Sequence, residues 1–425
     1  MITDPRQDGA KRLPQNAADV DLTDVDFFWK DDPHKLWKIL RAEDPVHWQQ
    51  RSWGRGIWHI TKYEDVIRIG CDPETFISSK GIVMDNDGRA TLRQEQAEGY
   101  IDPNGQMMIT TDPPRHSLMR QLVNKGFTHR AIRKLEDYCR GIVGMALDEA
   151  QSNGGECDFV LDVARKLPLD VICELVGVPE GDWEAMFDLS NRVIGFDDPE
   201  YARGQITEEE QKMSMDLFNY VLRLCQERRD QPRDDVLTQL VHAEIEGQRL
   251  ADHEIFLFFL LLIVAGNETT RNATSGGLLA LIQNPDQWDR LRADPLLVPT
   301  AVDEILRWTS PVTHFTRFAS KDTEIRGREI KAGQEVCMWY PSANRDEDVF
   351  SNADTFDVGR VPNDHIAFGK GEHFCLGANL ARLELRVSFE EIVKRFAGAE
   401  LTAEPQRLRS NFIGGIKRMP VRFTA

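Results

Sequence analysis

The longest uninterrupted apolar run in the chain is Ile255-Phe-Leu-Phe-Phe-Leu-Leu-Leu-Ile-Val-Ala265. As helix, eleven residues rise about 16 Å, short of the ~30 Å hydrocarbon core of a bilayer. A helix apolar on every side at that length is a buried one. The run leads into Gly266-Asn267-Glu268-Thr269-Thr270-Arg271-Asn272. A carboxylate and two hydroxyls are costly there if buried without partners. Two readings stand. Either the helix surfaces at Asn267, or it continues, with hydroxyls bonding back to carbonyls one turn earlier and Gly266 leaving space for a small molecule.

Before the run, Asp32-Pro33 starts a short helix through Leu36, Trp37, Ile39 and Leu40. Gly56–Thr61 reads as a strand and Lys62–Ile69 as a helix. Residues 80–110 form a long irregular stretch, of a length that is often functional inside a compact domain. Residues 131–245 read as several amphipathic helices, one closed by Gly177 and Pro179. Gly195–Gly204 interrupts them, and the helical pattern resumes at Thr207–Glu210. After the run, Ile325–Tyr340 reads as a hairpin around Lys331-Ala-Gly333, and Gly414-Gly415 marks a turn between apolar residues. The pattern predicts a mainly α fold with a smaller β region. Residues 1–24 read as a flexible N-terminal arm and 25–425 as one catalytic domain.

Composition narrows the class. Net charge is −18, which argues against nucleic acid and anionic membranes as partners. The seven cysteines are scattered and form no Cys-x-x-Cys pair, so neither a disulfide framework nor a zinc site is indicated. A reducing cytoplasm fits that usage. The first residues show no apolar signal region, and no membrane anchor is expected.

One cysteine stands apart. Phe368-Gly-Lys-Gly-Glu-His373-Phe-Cys375-Leu-Gly377 sets a sulfur between glycine-bearing turns, just ahead of a helical pattern (Leu380, Leu383, Val387). A helix N-terminus favours a thiolate, and the glycines allow positive φ or close approach to a flat group. The alternative is a free buried cysteine in a loop. Two charged pairs have helical spacing. His116 and Arg120 lie at i, i+4, and Glu304 and Arg307 at i, i+3. Each reads equally as a solvated surface pair.

The Phe-Gly-x-Gly-x-His-x-Cys-x-Gly phrase resembles the haem-binding signature of the cytochrome P-450 family. The resemblance extends over residues 25–425. It implies haem b (iron protoporphyrin IX) held between the long central helix and the cysteine loop, with Cys375 as the metal ligand. Phe368 and Gly377 would shape that loop. His116, Arg120, Arg317 and His373 would bind propionates. Ala265-Gly-Asn-Glu-Thr-Thr resembles the oxygen-activation motif, implying Glu268 as the acid and Thr269 as the hydroxyl that steadies reduced dioxygen. Glu268 stands where many members carry Asp. Glu304, Arg307 and Arg360 would form a structural triad. Met108, Val312, Phe315 and Ile413 would face substrate, together with Met107, Ile109 and Phe412. The break at 195–204 would be a lid over the entrance.

The implied function is monooxygenation of an apolar small molecule by dioxygen and two electrons from a ferredoxin and its reductase. Arg120, Lys125, Lys370 and Arg382 are the expected docking patch. Three phrases, Ala265–Asn272, Trp339–Asp346 and Phe412–Lys417, resemble the bacterial branch acting on sterol side chains, terpenoids and methyl-branched lipids. Rival readings are a hydrogen-peroxide-driven peroxygenase and a haem sensor or carrier without turnover. The acid–alcohol pair disfavours both. A hydrolase is disfavoured by the absence of a Gly-x-Ser-x-Gly elbow.

Overall fold

In the computed structural model, which describes residues 13–86, 88, 104–201 and 208–424, the apolar run belongs to one helix, Asp252–Gln283, of 32 residues. Glu254 starts it, accepting the Ala251 N–H at 2.8 Å. The helix does not surface at Asn267, which is fully buried. Its hydroxyls make continuation affordable: Thr269 donates to the Ala265 carbonyl at 2.9 Å, Thr274 to Thr270 and Ser275 to Arg271, each at 2.8 Å. Among the described residues this is the one helix long and apolar enough to cross a membrane, and most of it is covered by protein.

What covers it are the helices Lys166–Val176, Trp183–Ile194, Val298–Thr309 and Ala378–Arg395. At Gly266 a Cβ would meet the Ile172 side chain at 2.6 Å, so glycine there sets the approach of two helices as well as opening space. The chain is about 52% helical with a smaller sheet region, which matches the expected fold class.

The main sheet has five strands in the order Val46–Gln50, Gly56–Ile60, Glu335–Trp339, His314–Ala319, Phe76–Ile77. Only the pairing of Glu335–Trp339 with Gly56–Ile60 is parallel. Within it Val336 lies opposite Arg317, Met338 opposite Phe315 and Trp339 opposite His314. Val312 and Phe315, in the 312–318 segment, pack in one cluster with Val264 of the long helix.

Two expectations change. The hairpin in 325–340 turns at Arg326-Gly327, joining Thr323–Ile325 to Arg328–Ile330. Lys331–Gln334 instead hands the chain to the main sheet. Both Arg326 and Gly327 hold positive φ, which makes that the tight turn. Part of the segment expected as an arm is packed. Residues 1–12 lie outside the described residues, but Leu22 is buried, and the amides of Ala17 and Leu22 are bound by Glu43 (2.9 Å) and Gln49 (3.1 Å). Of the irregular stretch 80–110, residues 87 and 89–103 lie outside the described residues, as do 202–207 of the lid segment. The helix Trp183–Ile194 ends where the break was expected, and Glu208–Asp230 follows.

Candidate active site

The cysteine loop is a set of tight turns. Cys375 N–H donates to the Phe368 carbonyl at 2.9 Å, and Phe374 N–H to Gly371 at 3.1 Å. Gly371 has φ +77°, and a Cβ there would lie 2.0 Å from the Gly70 carbonyl oxygen, so only glycine fits. Gly377 caps the helix Ala378–Arg395. Burial pushes the Cys375 thiol up, while the Gly377 amide, Arg120 and Arg382 pull the other way. A metal ion on the sulfur would reverse that balance outright. Phe368 packs beside the loop with the Arg382 guanidinium 4.6 Å above its ring.

Cys375 lines one wall of an interior cavity, together with Phe368, Gly377 and Leu380. The long helix forms the opposite wall with Ala265, Gly266 and Thr269. Met108, Ile109, Val312 and Phe315 close the cavity with apolar groups. His116, Arg120, Arg317 and His373 all border it. The His116 and His373 rings lie 4.1 Å apart. Burial, then Arg317, drives His373 down to about 2, and it shares a 3.1 Å hydrogen bond with Ser78 Oγ. Arg317 is buried and donates to the Thr316 carbonyl at 2.7 Å. Among the described residues no carboxylate lies within ion-pair distance of it. His116 Nδ1 is buried without a hydrogen bond.

Buried cations without counter-charge are unfavourable. Arg317 is such a cation, and with the half-buried Arg120 and the two imidazoles it borders a slot that Cys375 and the glycine-bearing long helix also line. A flat dianionic macrocycle with an axial metal site satisfies all of them, so the residues present fit a haem.

Four of the residues expected at the cavity lie off its lining: Met107, Glu268, Phe412 and Ile413. Glu268 does not face the cavity. It is buried in an ion pair with Arg271 on the next turn, and Arg271 also donates to Asn191 Oδ1 at 2.9 Å. Burial pushes the Glu268 carboxyl up, and Arg271 opposes this. Ile413 stands behind the wall, bridged to Val312 and packed with Phe315 and Phe412. Thr269 is where it was expected.

One site residue was missed. Glu384, in the helix after Cys375, lines the cavity. It is bonded to the Thr270 side chain, its Oε1 has no partner, and burial raises its carboxyl to about 8.

The expected triad is assembled behind the loop. Arg307 holds Glu304 with two bonds, 2.7 and 2.8 Å, and Arg360 adds a third at 3.0 Å. Arg307 also donates to the carbonyls of Asn344 (2.8 Å) and Ala353 (2.9 Å), and Arg360 to Ser351 (2.7 Å). This knot pins the segment that runs into the cysteine loop.

The family model for Cytochrome P450 matches residues 184–422. The methyl-branched lipid omega-hydroxylase of Mycobacterium tuberculosis is 40% identical over 416 residues, spanning 95% of this chain and 94% of the relative. The steroid C26-monooxygenase of Mycolicibacterium smegmatis is 36% identical over 419 residues, 97% of this chain and 95% of the relative. Among solved structures, a Mycobacterium marinum cytochrome P450 in complex with pseudoionone superposes with a TM-score of 0.86 at 36% identity, covering 97% of this chain and all of that one.

Proposed function

The chain belongs to the cytochrome P450 family, and from that membership we propose that it hydroxylates a branched lipid, a sterol side chain or a terpenoid, with electrons from a ferredoxin and its reductase. Membership makes it a haem-thiolate oxidoreductase that places one atom of dioxygen in an organic substrate. The balance is one dioxygen, two electrons and two protons, with one oxygen entering a C–H bond and the other leaving as water.

The single observation that carries the reading is that Cys375 and Thr269 line one cavity together with the apolar Met108, Ile109, Val312 and Phe315 and the basic His116, Arg120, Arg317 and His373. Haem b is proposed as the cofactor because no Cys-x-x-Cys pair is present for covalent attachment. When bound, it supplies dioxygen binding and reductive activation. The chain's own residues do the rest. Cys375 supplies the sulfur ligand, and the Gly377 amide steadies its charge. His116, Arg120, Arg317 and His373 orient the propionates. Thr269 Oγ, bonded to Ala265, presents a hydroxyl on the side opposite the sulfur. Glu268 does not reach the cavity, so its part is to hold Arg271 within the long helix. Met108, Val312 and Phe315 exclude bulk water and seat the apolar substrate.

The substrate classes rest on that apolar lining and on relatives named for a methyl-branched lipid and a steroid. For docking, Lys125 and Lys370 are exposed, Lys370 in the cysteine loop with the exposed Phe374. Arg382 is paired with Asp303 at 3.0 Å and Arg120 is half-buried, so the two exposed lysines carry the patch. A cytoplasmic location fits the reduced cysteines.

The test is optical. Haem-loaded wild type with carbon monoxide should give the thiolate-type Soret band, and Cys375→Ser should lose it. A methyl-branched fatty acid, cholest-4-en-3-one and pseudoionone should each be titrated against the ferric Soret band. A spectrum unmoved by all three would sink the substrate assignment, and retention of the band by Cys375→Ser would sink the ligand assignment.

A further inference from the structure

Val312 and Phe315 line the cavity, and the apolar cluster behind them is assembled from chain segments far apart in sequence. Val83, Phe196, Val312, Phe315, Phe412 and Ile413 form one cluster. Apolar contact alone does not fix the relative positions of such segments, because it is non-directional. Something directional stands behind the cluster. Asn411, fully buried and next to Phe412, reaches three of the segments directly. Its main-chain carbonyl accepts His314 Nδ1 at 2.8 Å and the Thr313 hydroxyl, so where the side chain holds residue 411 decides where these two lie. Its Nδ2 donates to the Leu22 carbonyl at 3.0 Å and to Asn86 Oδ1 at 2.9 Å. Its Oδ1 accepts Asn86 Nδ2 at 3.1 Å, completing a reciprocal amide pair. Asn86 Nδ2 also donates to Asp197 Oδ2 at 3.2 Å, next to Phe196. His314 closes the circuit, since its Nε2 accepts the Met84 N–H at 3.2 Å.

Each of these apolar segments thus has a polar residue, within three positions, tied to one hub. We propose that Asn411 is the positioning residue that fixes the shape of the substrate cavity, and with it which molecules fit and how they lie. It touches no reacting atom. It acts through the walls it holds, and the role rests on the reading of the cavity as an apolar substrate site. An amide is required because the hub must donate and accept at once. A carboxylate would lose the two Nδ2 bonds, and leucine of similar size would lose all of the side-chain bonds.

The test uses haem-loaded Asn411→Leu, with Asn86→Leu as a second variant that removes only the outer half of the network. Hydrogen–deuterium exchange reads the walls, and imidazole and 4-phenylimidazole, which bind ferric haem from the cavity side, read its shape. In Asn411→Leu the amides of Met84, Thr313 and Gly414 should exchange about tenfold faster, as expected for the loss of one or two net hydrogen bonds. Those of the long helix should be unchanged. The ratio of 4-phenylimidazole to imidazole affinity should shift by at least about fivefold on the same grounds, and Asn86→Leu should move both readouts less in the same direction. Unchanged exchange at these amides, faster exchange everywhere, or an unchanged affinity ratio overturns the proposal. If Asn411→Leu fails to fold, Asn86→Leu alone decides by the same two readouts. The azole ratio needs no substrate, so a failed lipid or steroid titration of wild type would reject the substrate reading and leave this result standing.

Discussion

Glu268 and Arg271 close on each other one helical turn apart, inside the long helix, with neither side chain reaching the cavity. Successive residues on a helix point about 100° apart. With Thr269 turned into the cavity, Glu268 is carried to the side, toward Asn191. The pair is buried on both members. Removing one partner of such a pair leaves a bare charge and costs about 3–5 kcal/mol, whereas replacing both is near neutral. Arg271→Met should therefore lower unfolding stability by about that amount, and Glu268→Gln/Arg271→Met should recover most of it. Urea unfolding of the two variants beside wild type measures this. A single variant as stable as the double one would mean that the pair is not closed in solution.

The knot around Glu304 makes a second prediction. Glu304 is fully buried and neutralises Arg307, also fully buried, and Arg360. Glu304→Gln strands two guanidinium groups and should cost about 3–5 kcal/mol. Arg360→Lys keeps the charge but loses the fork to Ser351, Asn352 and Thr355, and should cost about 1–3 kcal/mol. Thermal unfolding gives the order, and the haem content of purified protein gives the consequence for the loop. Equal stability of Glu304→Gln and wild type would show that the knot does not hold the fold.

Much of this architecture is legible in the chain. The eleven-residue apolar run specifies a buried helix, and the glycine spacing around Cys375 specifies a turn that only glycine fills at Gly371. Charge pairs at helical spacing remained ambiguous, because spacing cannot say which face is buried. Glu304 with Arg307 became a core knot only when the 351–360 segment folded over it. Glu384 was hidden for the same reason. It sits among charged residues in Ala378–Arg395, and nothing local marks it as the one facing Thr270, more than a hundred residues away. Arg271 with Asn191 and Asn411 with Asn86 are likewise contacts between distant segments. Periodicity reports burial along one element, and these side chains are defined by pairs of elements.

Electron delivery gives a third prediction. The overall charge is −18, yet Lys125 and Lys370 are exposed, Lys370 in the same loop as the exposed Phe374. A local basic patch on an acidic protein steers an acidic partner most strongly at low salt, since exposed charges are screened within about 10 Å at 0.1 M. The KM for an acidic ferredoxin should rise several-fold between about 0.05 and 0.3 M salt, over which the screening length shortens. Lys370→Glu should raise it at low salt and flatten the salt dependence. A salt-independent KM in wild type would remove the patch from the docking site.

Glu384 gives the fourth. Burial raises its carboxyl to about 8, and its bond to Thr270 only partly opposes the shift. The unfolded value is about 4.3. Between these two values the native chain keeps a proton that the unfolded chain has released. The native state then binds more protons, so stability falls as pH rises through that window. The contribution is fully present below about pH 4.3 and lost above about pH 8, at up to ~1.4 kcal/mol per pH unit between. Glu384→Gln cannot ionise and escapes this loss. Its stability relative to wild type should therefore grow by a few kcal/mol between about pH 5 and pH 8, read from urea midpoints at each pH. Infrared difference spectra at neutral pH should show a protonated-carboxyl stretch in wild type that Glu384→Gln lacks. Parallel stability curves for the two proteins, with no such band, would mean that Glu384 is ionised in the folded chain.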